Sequence, residues 1–139
     1  MIVHRLAFSS SIGHCGILRR CVQLFGQSAG YSGSFISALE LTVHEAFVNA
    51  VKHGNRSDPE LPVVIILRDV RELDDHYLHV EVADCGKGFA FNGRRDFSEA
   101  GDPLKLSGRG VPLIVHFADS IRLERRAGGS VLLLRYIPY

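Results

Sequence analysis

Residues 40–54 read Glu40-Leu41-Thr42-Val43-His44-Glu45-Ala46-Phe47-Val48-Asn49-Ala50-Val51-Lys52-His53-Gly54. Wound at about 100° per residue, Leu39, Val43, Ala46, Phe47 and Ala50 fall together as a core face. Ser37, Glu40 and His44 form a polar face beside it, which already suffices for an ordinary surface helix. Glu45, Asn49 and Lys52 make a third stripe, bordered by Leu41 and Val48. Glu45 and Asn49 stand one helical turn apart, so their side chains are neighbours. Two descriptions suit this stripe. It can be an exposed charged side with chance apolar neighbours. Alternatively a polar ligand covers it: an amide oxygen can ligate a magnesium ion that bridges phosphates, and a carboxylate one turn earlier can take a proton from a hydroxyl or water.

Outward from this stretch, the spacing predicts a helix that starts near Ser34 as N-cap and runs to His53, with Gly54 and Asn55 closing it in left-handed geometry. On its N-terminal side, Met1 to Phe8 reads as a short strand and Ser9 to Ser11 as a turn. Gly13 to Phe25 carries Ile17, Leu18, Cys21, Val22 and Phe25 at amphipathic spacing, and Gly30, Ser32 and Gly33 interrupt it. On the other side, a turn at Pro59 to Pro62 precedes two strands, Val63 to Leu67 and Tyr77 to Ala83, with Asp74 and Asp75 marking the turn between them. Asp84 to Gly110 holds Gly86, Gly88, Gly93, Gly101, Gly108 and Gly110 without periodicity and reads as a long loop. Such length in a small domain points to a lid or binding segment, here Phe91 to Leu106. Val111 to Phe117 looks helical, with Pro112 in its first turn. Ser120 to Glu124 and Ser130 to Tyr136 form a closing hairpin across Gly128 and Gly129. This order predicts one α+β domain over residues 1–139, a two-layer α/β sandwich whose mixed, mostly antiparallel sheet carries its helices on one face.

Composition narrows the function classes. The chain has 139 residues, 46% hydrophobic and 22% charged, which describes a globular core. A net charge of +1 supplies no electrostatic case for nucleic acid or a membrane surface. The arginines at 94, 95, 122, 125 and 126 cluster locally, as solvated faces commonly do. Cys15, Cys21 and Cys85 make an odd count without pairing spacing, which predicts a reducing, cytoplasmic setting and no disulfide framework. No metal-ligand spacing of cysteine or histidine occurs, and His76 and His79 would face opposite sides of a strand. Arg5, Arg19 and Arg20 interrupt Met1 to Phe25, so the segment reads neither as a signal peptide nor as a membrane span.

Two glycine motifs complete the picture. The first strand pair ends in Asp84-Cys85-Gly86-Lys87-Gly88-Phe89. A strand-end aspartate can accept a hydrogen bond from an exocyclic amine, and the glycines let backbone approach a flat base. Gly108-Arg109-Gly110-Val111-Pro112-Leu113-Ile114 opens the last helix. Free N–H groups at a helix start hold phosphate, and Arg109 adds a donor fork. Either motif alone could be a plain glycine-rich turn. No Gly-Lys-Ser/Thr follows, so this is not a Walker A loop, and the spacing is not that of a dinucleotide fingerprint.

In order along the chain, the 40–54 string resembles the N box of the GHKL superfamily of gyrase, heat-shock chaperone, histidine kinase and mismatch-repair ATPases. The 84–89 string is similar to its D-x-G-x-G-F box, and the 108–114 string to its second glycine box. The short chain and the E-x-x-x-N-A-x-x-H-G form look most like the bacterial anti-sigma factor serine kinases. Val111 replaces the usual leucine, and Ala90 and Phe91 stand where Asp-Pro is common. The resemblance implies Glu45 as general base and Asn49 as magnesium ligand. It implies Lys52, His53, Gly108, Arg109 and Gly110 as nucleotide contacts, Asp84 as the adenine-amine acceptor, Gly86 and Gly88 as shapers of the base pocket, and Ser130 near the adenine. It further implies ATP and magnesium as cofactors, an anti-anti-sigma protein as phosphoacceptor, a sigma factor as competing partner, and dimerisation. A non-catalytic module in which nucleotide selects partners is the alternative. A histidine kinase catalytic part is disfavoured, since no separate phosphoacceptor helix pair fits in the chain.

Overall fold

The computed structural model describes residues 1–86, 94–96 and 110–139; for 94–96 and 110–113 only the backbone is considered. Six strands form one sheet in the order β1-β2-β3-β6-β5-β4: β1 Ile2–Ser9, β2 Pro62–Glu72, β3 Asp75–Asp84, β4 Arg94–Asp96, β5 Ser120–Arg126 and β6 Gly129–Tyr136. Each of the five pairings is antiparallel. Three helices, α1 Cys15–Ser28, α2 Gly33–Asn49 and α3 Gly110–Phe117, supply the second layer. The α+β sandwich expected from the sequence is therefore present, with a sheet that is antiparallel throughout the described strands.

Strand alternation decides which residues meet the helices. Leu6, Ile65, Val82, Leu132 and Leu123 form one cross-strand row, and His4, Leu67, Val80, Leu134 and Ile121 the next. The β2, β3, β5 and β6 members are buried beneath Leu39, Val43, Ala46, Phe47 and Ala50, the face predicted for α2. Phe8 meets Phe47 edge to face at 5.7 Å, a favoured aromatic geometry. Thr42 and Tyr136, both fully buried, satisfy each other through a 2.7 Å hydroxyl contact. Among the described residues no helix is long and apolar enough to cross a membrane.

Four local expectations are corrected. The α2 cap is Ser32, not Ser34: its Oγ accepts from the Phe35 N–H at 3.2 Å, placing Phe35 in the core. The helix does not close on left-handed Gly54 and Asn55. It widens into a π-helical turn over Ala50–Gly54, in which the Asn55 N–H donates to the Ala50 carbonyl at 2.8 Å. Positive φ falls instead on Arg56 and Ser57. The β2–β3 turn is Leu73-Asp74, since Asp75 already pairs with Glu72. The long loop predicted from Asp84 to Gly110 contains β4, paired with β5; the rest of the proposed lid lies outside the described residues.

At the end of the sheet away from Asp84, Asp69 anchors the α1–α2 connection. It is 2% exposed and receives the Tyr31 hydroxyl at 2.6 Å, His76 Nε2 at 2.7 Å and Arg71 Nε at 2.9 Å. Arg71 also donates to the Ala29 carbonyl. Burial alone would raise the Asp69 carboxyl, but these hydrogen bonds and the Arg71 charge outweigh it and hold the group below the ordinary aspartate range. A carboxyl depressed in the folded state stabilises above its unfolded pKa and loses that contribution as pH falls through the folded value. Asp69→Asn should cost about 1.5–3 kcal/mol at neutral pH. In urea titrations the gap from wild type should close only below the ordinary aspartate range. A gap constant down to strong acid would contradict the ionised clamp.

Candidate functional site

Asp84 continues the alternation of Leu78, Val80 and Val82, so its side chain faces the helices at the very end of β3. There the core gives way to a small, partly open cleft. Ala46 and Ala50 of the helical layer leave room, Val82, Leu123 and Leu132 form an apolar floor, and Asn49 and Asp84 contribute the polar groups. Asn49 is the last residue of α2 and 5% exposed. Asp84 Oδ1 accepts from the Gly86 N–H at 3.0 Å. Burial pushes its carboxyl above the ordinary range, while the Gly86 and Ser130 backbone N–H groups and the Arg125 charge pull the other way. A desolvated acceptor beside an apolar floor suits a flat ligand with an exocyclic donor.

The residues singled out in the sequence divide into three groups. Asn49, Asp84 and Gly86 come together, and Ser130, 2% exposed, pairs with Asp84 across β6. Glu45 is half-buried one turn before Asn49 and outside the cleft lining; its charge, after burial and Arg19, acts on the Cys15 thiol of α1. Lys52 and His53 are exposed on the π turn and do not line the cleft. Gly110 begins α3, whereas Gly88, Gly108 and Arg109 lie outside the described residues.

Three participants were not among the expected site residues. A Cβ on Gly54 would stand 2.4 Å from Asp84 Cγ and Oδ2, and one on Gly86 only 1.5 Å from the Gly54 carbonyl oxygen. The two backbones therefore touch, and the helix end forms a wall of the Asp84 site. Asn55, 2% exposed, accepts from the Cys85 N–H at 2.8 Å. Arg125 Nη1 reaches the Gly86 carbonyl and Ser130 Oγ, each at 3.4 Å, so it is more than part of a solvated arginine face. For Gly54 the signal was its place directly after His53. Asn55 and Arg125 carried none, because their partners are distant or set by strand register.

The class that this fold and site define is a nucleotide-binding α/β sandwich, with the site between a helix end and a central strand. The histidine kinase-like ATPase domain matches residues 8–136, and the chain belongs to that family. Serine-protein kinase RsbW of Listeria monocytogenes is 30% identical over 117 residues, covering 78% of this chain and 71% of that protein. The Bacillus subtilis protein of the same name is 28% identical over 130 residues, covering 89% and 79%. The crystal structure of the RsbU and RsbW domains of Rv1364c from Mycobacterium tuberculosis superposes with a TM-score of 0.71 at 16% identity. It covers 99% of this chain, which spans about a third of that one (33%), and the likeness is one of fold.

Gly54→Ala should destabilise the protein by about 1–3 kcal/mol through overpacking against Asp84. Gly16→Ala in α1, where a Cβ meets nothing within 4 Å, should be neutral or slightly stabilising. Denaturant midpoints compare the two; equal midpoints would mean the Asp84 wall yields freely.

Proposed function

We propose that this protein is an ATP-dependent serine/threonine protein kinase that acts as an anti-sigma factor in a partner-switching system, phosphorylating an anti-anti-sigma protein. The observation that carries the reading is the convergence of Asn49 and Asp84 on one apolar-floored cleft. The family and the serine-protein kinase name of its relatives support the activity. The partners and a dimeric state follow from the resemblance to that kinase group, and a cytoplasmic setting from the odd count of cysteines without pairing spacing.

In this reading Asp84 accepts from the adenine amine, Val82, Leu123 and Leu132 lie under the base, and Gly86 and Ser130 shape the pocket around it. Lys52, His53, Gly108, Arg109 and Gly110, together with Gly88 nearer the base, complete the nucleotide contacts. Asn49 offers the amide oxygen to magnesium, which would neutralise charge developing on the phosphates. Among the described residues no three His, Cys, Asp or Glu side chains converge, and magnesium that rides on a nucleotide needs no such cage. Glu45 takes the proton as the partner's serine oxygen bonds to the γ-phosphorus and the bond to the β-phosphate oxygen breaks, releasing ADP. The alternative is a nucleotide-gated binding module without catalysis, which needs no base at Glu45.

Glu45→Gln separates the two. As general base its loss should leave ATP affinity within a few-fold while transfer to the partner drops by about 10²–10⁴. Asn49→Ala should weaken magnesium-dependent binding as well as transfer. Transfer at the wild-type rate by Glu45→Gln, followed with labelled phosphate, would falsify the base assignment. Tight ATP binding by wild type without transfer to any partner would favour the binding module.

Base recognition has a separate test. Asp84→Asn should weaken ATP by about tenfold to a hundredfold, and GTP, with a carbonyl in place of the amine, should bind poorly. Because Asp84 titrates above the ordinary range, acidification should protonate the acceptor early. Wild-type ATP affinity should then fall at a pH where ordinary aspartates remain ionised, while Asp84→Asn shows no such step. Equal calorimetric affinity for ATP and GTP would sink the assignment.

A further inference from the structure

Asn55 stands outside the cleft lining, yet its side chain ties together three chain segments that meet at the site. Oδ1 accepts from the Cys85 N–H at 2.8 Å. Nδ2 donates to Ser10 Oγ at 2.8 Å and to the Pro62 carbonyl at 3.0 Å. Ser10 Oγ in turn donates to the Leu61 carbonyl at 2.6 Å. The ends of β1 and β3 and the start of β2 are thus held by one buried amide that uses both its acceptor and its donors.

The strand ladders explain why such a tie is needed. Pairing of β2 with β3 stops at Val64 and Ala83, and pairing of β3 with β6 stops at Asp84 and Ser130. Cys85 is therefore the first residue past both ladders, directly between Asp84 and the Gly86 N–H that holds Asp84 Oδ1. The Asn55 amide takes over where the sheet ends. On the other side of it, Gly54 already rests against the Asp84 carboxylate.

We infer that Asn55 is a positioning residue for base recognition: by holding the Cys85 N–H it fixes the Asp84-Cys85-Gly86 backbone, and with it the carboxylate that meets the exocyclic amine of an adenine nucleotide. This rests on the adenine reading of the cleft proposed above. The phosphate contacts belong to other residues, so the effect of Asn55 is confined to the base. A residue that merely stabilised the fold would weaken every ligand alike.

The full chain, its Asn55→Ala variant and its Ser10→Ala variant should be titrated by calorimetry with ATP, GTP and inorganic tripolyphosphate, each with magnesium, after thermal melts identify the folded proteins. Asn55→Ala should lower ATP affinity about tenfold, compressing the ATP-to-GTP preference, while tripolyphosphate affinity stays within twofold. Ser10→Ala removes one anchor of the amide and leaves its bond to Cys85, so it should compress the preference about threefold. It decides the matter if Asn55→Ala does not fold. A folded variant that keeps the wild-type preference overturns the inference, as does a loss of ATP and tripolyphosphate binding in equal measure. Wild type that binds ATP and GTP equally would instead overturn the adenine reading itself.

Discussion

The contact of two backbones, Gly54 on the helix end and Gly86 after β3, is the constraint on which the site depends. With a Cβ on Gly86 only 1.5 Å from the Gly54 carbonyl oxygen, a side chain at that position would force the two segments apart. On the helix side of this contact α2 ends in a widened π turn, a feature common at functional sites. On the strand side the ladders stop at Ala83 and Asp84, and the next N–H, that of Cys85, donates to Asn55 Oδ1. The cleft is the space left between these surfaces and the small residues Ala46 and Ala50.

Two carboxyls on the helix-facing side of the sheet show how the donors around a carboxyl decide its chemistry. Asp69 is surrounded by Tyr31, His76 and Arg71, and its donors outweigh desolvation, so it stays charged and ties down the α1–α2 connection. Asp84 has two backbone N–H groups and Arg125, and desolvation prevails. An acceptor incompletely compensated by its own protein gains most from a donor that a ligand brings. One aspartate is therefore a structural anchor, and the other is suited to recognition.

Much of this was legible in the residues. The helical spacing of Leu39, Val43, Ala46, Phe47 and Ala50 picked out side chains that the structure buries, because amphipathic periodicity is a local property of the chain. The alternation of Leu78, Val80 and Val82 likewise carries Asp84 to the helix-facing side. Boundaries were less secure. Ser32 and Ser34 both suit an N-cap, and the choice depends on Phe35 entering the core beside Tyr31 and Tyr136. Strand β4 has three residues and finds its partners, Glu124, Leu123 and Arg122, far along the chain in β5, where no local pattern reaches.

The sequence by itself determined the main elements and their order, β4 and the π turn excepted, and it set Glu45 and Asn49 one helical turn apart and Asp84 at a strand end, since period, glycine placement and residue type are all written locally. Only the tertiary structure decided which of these share a cleft: Asn49 and Asp84 do, while Glu45, Lys52 and His53 stand outside its lining. It alone also gave Asn55 its place. A buried amide must satisfy its donors and acceptor wherever they lie, and Ser10, Pro62 and Cys85 come within its reach only after the strands have paired.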